Sequence, residues 1–330
     1  MKISGVNSFY YYENLKGKRV LLLGDVFCDA PRNKTCTSDS IDVADYVDSI
    51  IDDIPMFPKQ ECLDIFIQGS YKKSNDQVVM SCPGTRKMIE KIQPSGLIKK
   101  IVSSLRQKRV RIHNTDPKSI PIKDSSWLNM RLQPKFPEVK GPIRSDPYLF
   151  NSIQRTIDHL LTIDKEENEK YFLQICDSFS RKDCDELKQW EQKYFKVIEK
   201  ELSKLDESII TREELVKGLR DVYSAIIDMT GTEYNPYPTI FPEQTASYLL
   251  TSAPTDLYNL ARMFIKFDNK QRSSCDTTKV DNVIIYSIFT QASVYELFFY
   301  NTFGAIPDIR VENKNWDELC IEVPDFDFWE

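Results

Sequence analysis

Short apolar runs alternate with amphipathic stretches over the first third of the chain. Residues 19–25 form a nearly continuous apolar run that ends in a Gly-Asp pair, a similar run occupies 63–68, and 109–115 is predicted as a third strand. Between these runs, apolar residues recur at three- and four-residue spacing over 39–54 and 95–107, which predicts two helices. Strands that alternate with helices in this way are typical of a parallel α/β sheet with right-handed crossovers.

The pattern becomes mainly helical after the irregular, proline-rich stretch 117–147. A Thr-x-x-Glu capping box at 211–214 begins one of the helices predicted before residue 270. A strand at 282–287 and a helix at 292–302 then return to the first pattern. We therefore predict an α/β fold with a parallel-majority central sheet flanked by helices, and with a large helical insertion. The predicted boundaries are 1–144 and 271–330 for the α/β core domain, and 145–270 for the helical insertion.

The last seven residues, Pro-Asp-Phe-Asp-Phe-Trp-Glu, alternate aromatic and acidic side chains over most of their length. Such a segment can add an edge strand to a sheet or dock on a basic surface. A frayed terminus is the third possibility. The sequence leaves these alternatives open.

Three of the predicted strands lead to uncharged side chains where a hydrolase would hold acid–base groups. In open α/β sheets, ligand sites lie beyond the carboxyl ends of the strands. Phe27, Gln68 and Gln291 follow these ends, and none of the three side chains exchanges protons near neutral pH. We therefore expect no catalytic residues at this edge and treat the three as degenerate site positions.

A residual polar cleft is an alternative use of the same edge. Asp25, Arg111, His113 and Asp116 lie at or near the ends of the predicted strands. Asp25, His113 and Asp116 would then serve an esterase- or peptidase-like hydrolase in a rebuilt cleft. The other histidine, His159, lies beside two leucines in a predicted helix and is interpreted as a helix residue.

A small-ligand-binding module is a third hypothesis for this edge. Phe27, Ile288 and Phe289 would make such a cleft more apolar. The chain has neither a glycine pattern for phosphates nor a G-x-S-x-G motif, so nucleotide binding and serine-hydrolase chemistry lack support.

The order of the three motifs resembles a known superfamily. Leu-Leu-Gly-Asp-x-Phe27, Asp-Ile-Phe-Ile-Gln68 and the Ile-Ile-Tyr run before Gln291 resemble the erythromycin-esterase-like and haem-uptake-lipoprotein-like α/β proteins, including members from large nucleocytoplasmic DNA viruses. The resemblance covers 19–118 and 280–300. It implies that an enzyme would carry His, Glu and His at 27, 68 and 291, lining one cleft.

The departures from that superfamily imply a scaffold without the ancestral chemistry. Asp25 still matches the pattern, but Phe27, Gln68 and Gln291 replace the three acid–base residues, and Ile288 replaces a small glycine. Loss of a single general base commonly lowers a rate by several orders of magnitude.

Charge is distributed unevenly along the chain, although the net charge is only −6. Residues 99–144 carry twelve basic and three acidic side chains, whereas 25–64 and 305–330 are acidic. An acidic protein surface or a viral capsid protein is the predicted partner of the basic segment. Nucleic acid is disfavoured, because Trp127 and Phe136 are the only aromatic residues that could stack with bases there.

The eight cysteines show no C-x-x-C pair or zinc-type spacing, and we predict free thiols in a reducing compartment. No cofactor and no metal are predicted. A hard-cation site formed by Asp25, Asp29 and Asp64 is the alternative. The sequence shows no signal peptide and no membrane-length apolar stretch, so we expect a location in the virion or the host-cell cytoplasm and no secretion.

The most consistent interpretation is a non-catalytic viral structural or interaction protein. It would be a pseudoenzyme and a virion component, such as a minor capsid protein, built on a degenerate hydrolase-like scaffold.

Overall fold

The computed structural model divides the chain into two compact units. The sheet unit comprises Met1–Ser119 and Met263–Glu330, and the second unit comprises Ile120–Arg262. The described residues are 1–25, 36, 39–54, 62–67, 71–74, 77–80, 109–114, 181–229, 255–267, 278–313 and 319–329, with a few single positions at 158–170 and at 253. The predicted helix at 95–107 lies outside them.

A six-stranded mixed sheet forms the centre of the sheet unit. The strands, in chain order, are β1 (Lys2–Ser4), β2 (Ser8–Tyr12), β3 (Arg19–Asp25), β4 (Ile41–Asp42), β5 (Leu63–Ile67), β6 (Tyr71–Ser74), β7 (Gln77–Met80), β8 (Val110–Asn114), β9 (Asn282–Ile288), β10 (Ile309–Glu312) and β11 (Cys320–Glu322). The order in the large sheet is β10-β2-β3-β9-β5-β8. Strands β3, β9, β5 and β8 are parallel, whereas β2 and β10 pair antiparallel. The predicted α/β class with a mostly parallel sheet is confirmed.

Two smaller sheets accompany the central one. Strands β11, β1 and β4 form a three-stranded sheet, and β6 and β7 form an antiparallel hairpin. The predicted helix at 39–54 begins later than expected, because Ile41 and Asp42 pair with β1 instead. Strands β1, β2, β10 and β11 are not predicted from the sequence. They have three to five residues each, too few for a clear alternation of apolar and polar positions.

In the described part of the chain, an amphipathic helix packs against one face of the large sheet. The described helices are α1 (Val43–Asp52), α2 (Arg181–Leu202), α3 (Arg212–Met229) and α4 (Phe289–Phe303). Asp42 caps α1 by accepting a hydrogen bond from the Ala44 backbone N–H at 3.0 Å. Val47 and Ile51 of α1 belong to one buried apolar cluster with Leu23 of β3. We call this side of the sheet the α1 face.

The opposite side of the sheet packs against α4 and is called the α4 face. Gly24 makes this approach possible, because a Cβ there would lie 2.2 Å from Ser8 Oγ and 3.0 Å from the Phe289 Cα. Only a residue without a side chain therefore fits between β2 and the first turn of α4. At the other end α4 stops at Gly304, which has a φ of 66°, as the glycine position predicts.

The C-terminal tail docks on the α1 face. Phe326 contacts the rings of Phe9 and Tyr11, with centroids 5.5 and 4.7 Å apart. Phe328 is buried, and the Trp329 indole N–H donates to the Ile50 carbonyl at 2.9 Å. The tail is thus neither an edge strand nor frayed over 324–329. Phe328 is part of the apolar core, Phe326 and Trp329 pack against it as partly buried residues, and no basic side chain takes part in these contacts.

All four cysteines in the described part of the chain are disulfide-bonded. Cys36 and Cys320 bond to each other, with Cα atoms 5.3 Å apart, and Cys62 and Cys184 are also oxidised. The prediction of free thiols is wrong for these four. The Cys36–Cys320 bond joins the segment before β4 to β11, so it closes the three-stranded sheet covalently.

Helices α2 and α3 form the described framework of the second unit, with a further helical stretch at 255–262. The predicted capping box is present before α3. The Glu214 backbone N–H donates to Thr211 Oγ1 at 3.2 Å, and the Thr211 N–H donates to Glu214 Oε2 at 2.8 Å. Arg212 pairs with Glu199 and thereby connects α3 to α2.

Candidate functional site

Four of the seven residues predicted at the strand ends are described. They are Asp25, Arg111, His113 and Gln291. The other three, Phe27, Gln68 and Asp116, lie outside the described residues.

Gln291 is part of the protein core. It lies in the first turn of α4, directly after β9, and its side chain is fully buried. The helix begins at Phe289, three residues earlier than the sequence predicts, so position 291 is inside the helix instead of in a turn. A fully buried amide is not exposed in a cleft, as a site residue of the predicted kind would be.

Asp25 ends β3 and forms a buried pair with a tyrosine of the neighbouring strand. The Tyr286 hydroxyl donates a hydrogen bond to the Asp25 carboxylate, and both residues are at least nine-tenths buried. Leu23 and Tyr286 are register partners and belong to the apolar cluster of the α1 face. Because side chains alternate along a strand, Asp25 shares that face.

Arg111 and His113 are brought together by a third residue, Asp64 of β5. Arg111 Nε donates to Asp64 Oδ1 at 2.7 Å, and Nη2 donates to Oδ2 at 2.6 Å. The His113 Nε2 atom lies 2.7 Å from the same Oδ1. We call Asp64, Arg111 and His113 the ion cluster. The two-pronged contact is the geometry in which a guanidinium binds a carboxylate most strongly.

Aromatic rings and a backbone carbonyl also contact the ion cluster. The Arg111 guanidinium carbon lies 4.2 Å from the Phe267 ring centroid, and its Nη2 also donates to the Lys279 carbonyl at 2.8 Å. His113 stacks on Phe66 with ring centroids 4.4 Å apart. The cluster is therefore enclosed by flat apolar surfaces that exclude water.

The charge state of Asp64 follows from these contacts. Asp64 has no solvent exposure, and burial alone would raise its pKa. The hydrogen bond and charge of His113, together with the charge and hydrogen bonds of Arg111, outweigh burial and lower the pKa of Asp64 below its ordinary value. The carboxylate is thus held ionised as the shared acceptor of two donors.

The ion cluster and Asp25 are on different sides of the sheet. His113 is the register partner of Phe66, and Phe66 is the register partner of Ile285. Ile285 directly precedes Tyr286 in β9, so the side chains of these two residues lie on opposite faces of the sheet. The cluster therefore lies on the α4 face, with Asp64 two strand spacings and His113 three strand spacings away from β3, or roughly 10 and 14 Å. The hydrolase hypothesis requires Asp25 and His113 to lie together, and the structure does not bring them together.

The pairing of Asp64 with Arg111 is not predicted from the sequence, where Asp64 is a candidate only as a cation ligand with Asp25 and Asp29. Asp29 lies outside the described residues. In the structure both Asp64 oxygens are used by Arg111 and His113. A signal was present, because an acid and a base each occupy the second position of a buried parallel strand and pair in register.

A second polar cluster lies towards the antiparallel end of the α4 face. The Tyr10 hydroxyl donates to Glu312, and Arg310 approaches both Glu312 and Glu296, at 3.2 and 3.4 Å. Burial and the negative charge of Glu312 raise the pKa of Tyr10. Burial also raises the pKa of Glu296, opposed by Arg310.

Within the described ranges, no three His, Cys, Asp or Glu residues are arranged to hold a metal ion. Among the described helices, none combines the length and apolar character needed to cross a membrane. No family model matches the sequence, and no curated protein or solved structure matches it either.

Proposed function

We propose that the chain is a non-catalytic structural or interaction protein on an α/β scaffold. The ion cluster carries this proposal. A general acid or base must reach a substrate proton, within about 3 Å or through one water. His113 and Asp64 instead satisfy one another and Arg111 behind aromatic rings, and all three are more than nine-tenths buried.

The position of Gln291 supports the same function. The superfamily resemblance expects a histidine there, lining a cleft. The glutamine at this position is fully buried in the first turn of α4, so it does not line an exposed cleft. Asp25, which does match the resemblance, is engaged with Tyr286 on the other face.

The finer parts of the proposal rest on sequence. They are the large helical insertion at 145–270, the docking of an acidic protein surface or a capsid protein on residues 99–144, and a viral origin. Helices α2 and α3 are in keeping with the first of these. The other two rest on the charge distribution and on the resemblance to viral proteins.

Of the two predicted locations, the disulfides favour the virion over the host-cell cytoplasm. Disulfides persist in oxidising surroundings, including particle surfaces, and are rare in the reducing cytosol. Cys36, Cys62, Cys184 and Cys320 are all oxidised. A protein packaged in a particle would be in oxidising surroundings once the particle is outside the cell.

Catalysis is tested with panels of ester and peptide probes. We expect no turnover by the wild-type protein above that of a heat-inactivated sample. The reference variants are Gln68→Ala and His113→Ala, and the matched control is Gln192→Ala, at an exposed position on α2. Turnover that Gln68→Ala or His113→Ala abolishes and Gln192→Ala leaves intact would overturn the proposal.

The location is tested by proteomics of purified particles, analysed without reduction. We expect peptides of this chain to be enriched in the particle fraction relative to the cytoplasm of infected cells, with Cys36 linked to Cys320. Recovery only from the cytoplasm, with both thiols reduced, would contradict the virion assignment.

A further inference from the structure

Strand β10 is the outermost described strand at the antiparallel end of the large sheet. It pairs with β2 on one side, and in the described part of the chain no strand pairs with its other side. An edge strand presents unpaired backbone N–H and C=O groups that can receive another strand. The sequence of β10, Ile-Arg-Val-Glu, determines which strand fits.

The pattern of backbone hydrogen bonds shows which residues of β10 point their backbone N–H and C=O groups away from β2. The Asn313 N–H donates to the Asn7 carbonyl at 2.9 Å, and these residues continue the register of β10 with β2. In an antiparallel pair the backbone groups point to the partner at every second residue. Ile309 and Val311 therefore bond to β2, whereas the backbone groups of Arg310 and Glu312 point away from it.

The side chains of the two outward-bonding residues carry opposite charges. Arg310 is 55% exposed and Glu312 is 36% exposed, and both lie on the α4 face. They approach each other within the strand at 3.2 Å. The edge therefore carries one positive and one negative residue, two positions apart. A second copy of the edge that runs antiparallel to the first can place its negative residue opposite the positive one and its positive residue opposite the negative one.

We propose that β10 pairs antiparallel with β10 of a second copy of this chain, across a two-fold axis at Val311. Arg310 then bonds to Glu312 of the partner subunit, and Glu312 bonds to the partner subunit's Arg310. Each of these two residue pairs exchanges two backbone hydrogen bonds and adds one ion pair. The two large sheets become one continuous sheet.

Charge selects this register over its neighbours. Only registers that pair outward-bonding residues satisfy the backbone groups. A shift by two residues in either direction would place Arg310 opposite the partner subunit's Arg310, or Glu312 opposite Glu312 of the partner subunit. Like charges directly opposite each other destabilise an antiparallel pair.

Exposed apolar side chains near β10 add surface that a second copy can cover. Ile306, three residues before the strand, is 72% exposed, and Tyr300 at the end of α4 is 57% exposed. A four-residue strand is nevertheless a small contact, so the dimer is expected to be weak and to depend on concentration.

Cysteine cross-linking tests the register directly. Val311 lies opposite the partner subunit's Val311 in a pair without mutual hydrogen bonds, where Cα atoms are about 4.5 Å apart and a disulfide fits. Val311→Cys should therefore give a covalent dimer on a non-reducing gel after mild oxidation. Arg310→Cys alone should not, whereas a mixture of Arg310→Cys and Glu312→Cys proteins should.

Sedimentation over a hundredfold concentration range provides a second measurement that needs no new thiol. Arg310→Glu places carboxylates opposite each other, and should weaken the dimer about tenfold or more. The control is Arg19→Glu, at the first residue of β3. Circular dichroism establishes that each variant is folded.

Two results would overturn the inference. One is a monomer at all concentrations together with no Val311→Cys cross-link. The other is equal cross-linking of Val311→Cys and Arg310→Cys, which indicates random collision. The inference is independent of the proposed lack of catalysis, because neither measurement reports turnover.

Discussion

Removal of the Asp64 carboxylate should strongly destabilise the sheet unit. In Asp64→Asn, the Arg111 guanidinium keeps the Lys279 carbonyl and the Phe267 ring but loses its carboxylate acceptor. Each lost hydrogen bond to a charged group is worth about 1.5–3 kcal/mol. Because a buried cation then remains without a counter-ion, we expect a loss of about 3–5 kcal/mol in the free energy of unfolding.

A double-variant cycle separates the charge effect from simple loss of packing. Asp64→Leu leaves the Arg111 charge buried, and Arg111→Met leaves the Asp64 charge buried. The double variant buries neither charge, so it should be more stable than the sum of the single losses predicts, with a coupling of at least about 2 kcal/mol. His113 can still stack on Phe66 in all three proteins.

The assay has to be local, because the chain contains two units and its global unfolding is not guaranteed to be two-state. Native-state hydrogen exchange of the β5 and β8 backbone amides measures the opening free energy of these strands. A loss below about 1 kcal/mol in Asp64→Asn, the size typical of an exposed ion pair, would refute the reasoning. Strict additivity in the cycle would refute it as well.

Four further predictions concern acid, packing, helix capping and covalent structure. The folded-state pKa of Asp64 is lowered, so the contribution of its carboxylate to stability is present above the unfolded-state pKa of 3.8 and is lost as the pH falls below that value. The stabilities of the wild type and Asp64→Asn, followed by acid titration, should therefore converge at low pH. Gly24→Ala should lower the free energy of unfolding by about 1–3 kcal/mol, and Thr211→Ala should lower it by about 1 kcal/mol. Thermal denaturation measures both losses. A Gly24→Ala protein as stable as the wild type would contradict the close approach of α4. Replacing Cys36 and Cys320 with serine opens a link between residues 284 positions apart, so denaturant melts should show a loss of about 3–5 kcal/mol, and an unchanged midpoint would contradict that estimate.

Local sequence patterns are sufficient to predict the parallel part of the fold. Strands β3, β5 and β9 are continuous or nearly continuous apolar runs, as strands buried on both faces should be, whereas β8 alternates apolar and polar residues. The apolar face of α1 and the capping box of Thr211 and Glu214 can likewise be predicted from local sequence, since each depends on residues three or four positions apart.

The candidate site could not be predicted to the same degree, because its contacts depend on register between distant segments. Asp64 and Arg111 meet only because β5 and β8 align Leu63 with Val110, and a shift of one residue would place them on opposite faces. Cys36 and Cys320 are the same kind of case, since the pairing of eight cysteines cannot be deduced from their spacing.

The Cys36–Cys320 bond also determines how the molecule would respond to a protease. The two sulfur atoms enclose nearly the whole chain between them, 284 positions apart in sequence. A single cut anywhere in that interval leaves both fragments attached, so the nicked protein keeps its full mass until a reductant is added. Damage to a surface loop therefore need not release either piece from an assembly that holds the other.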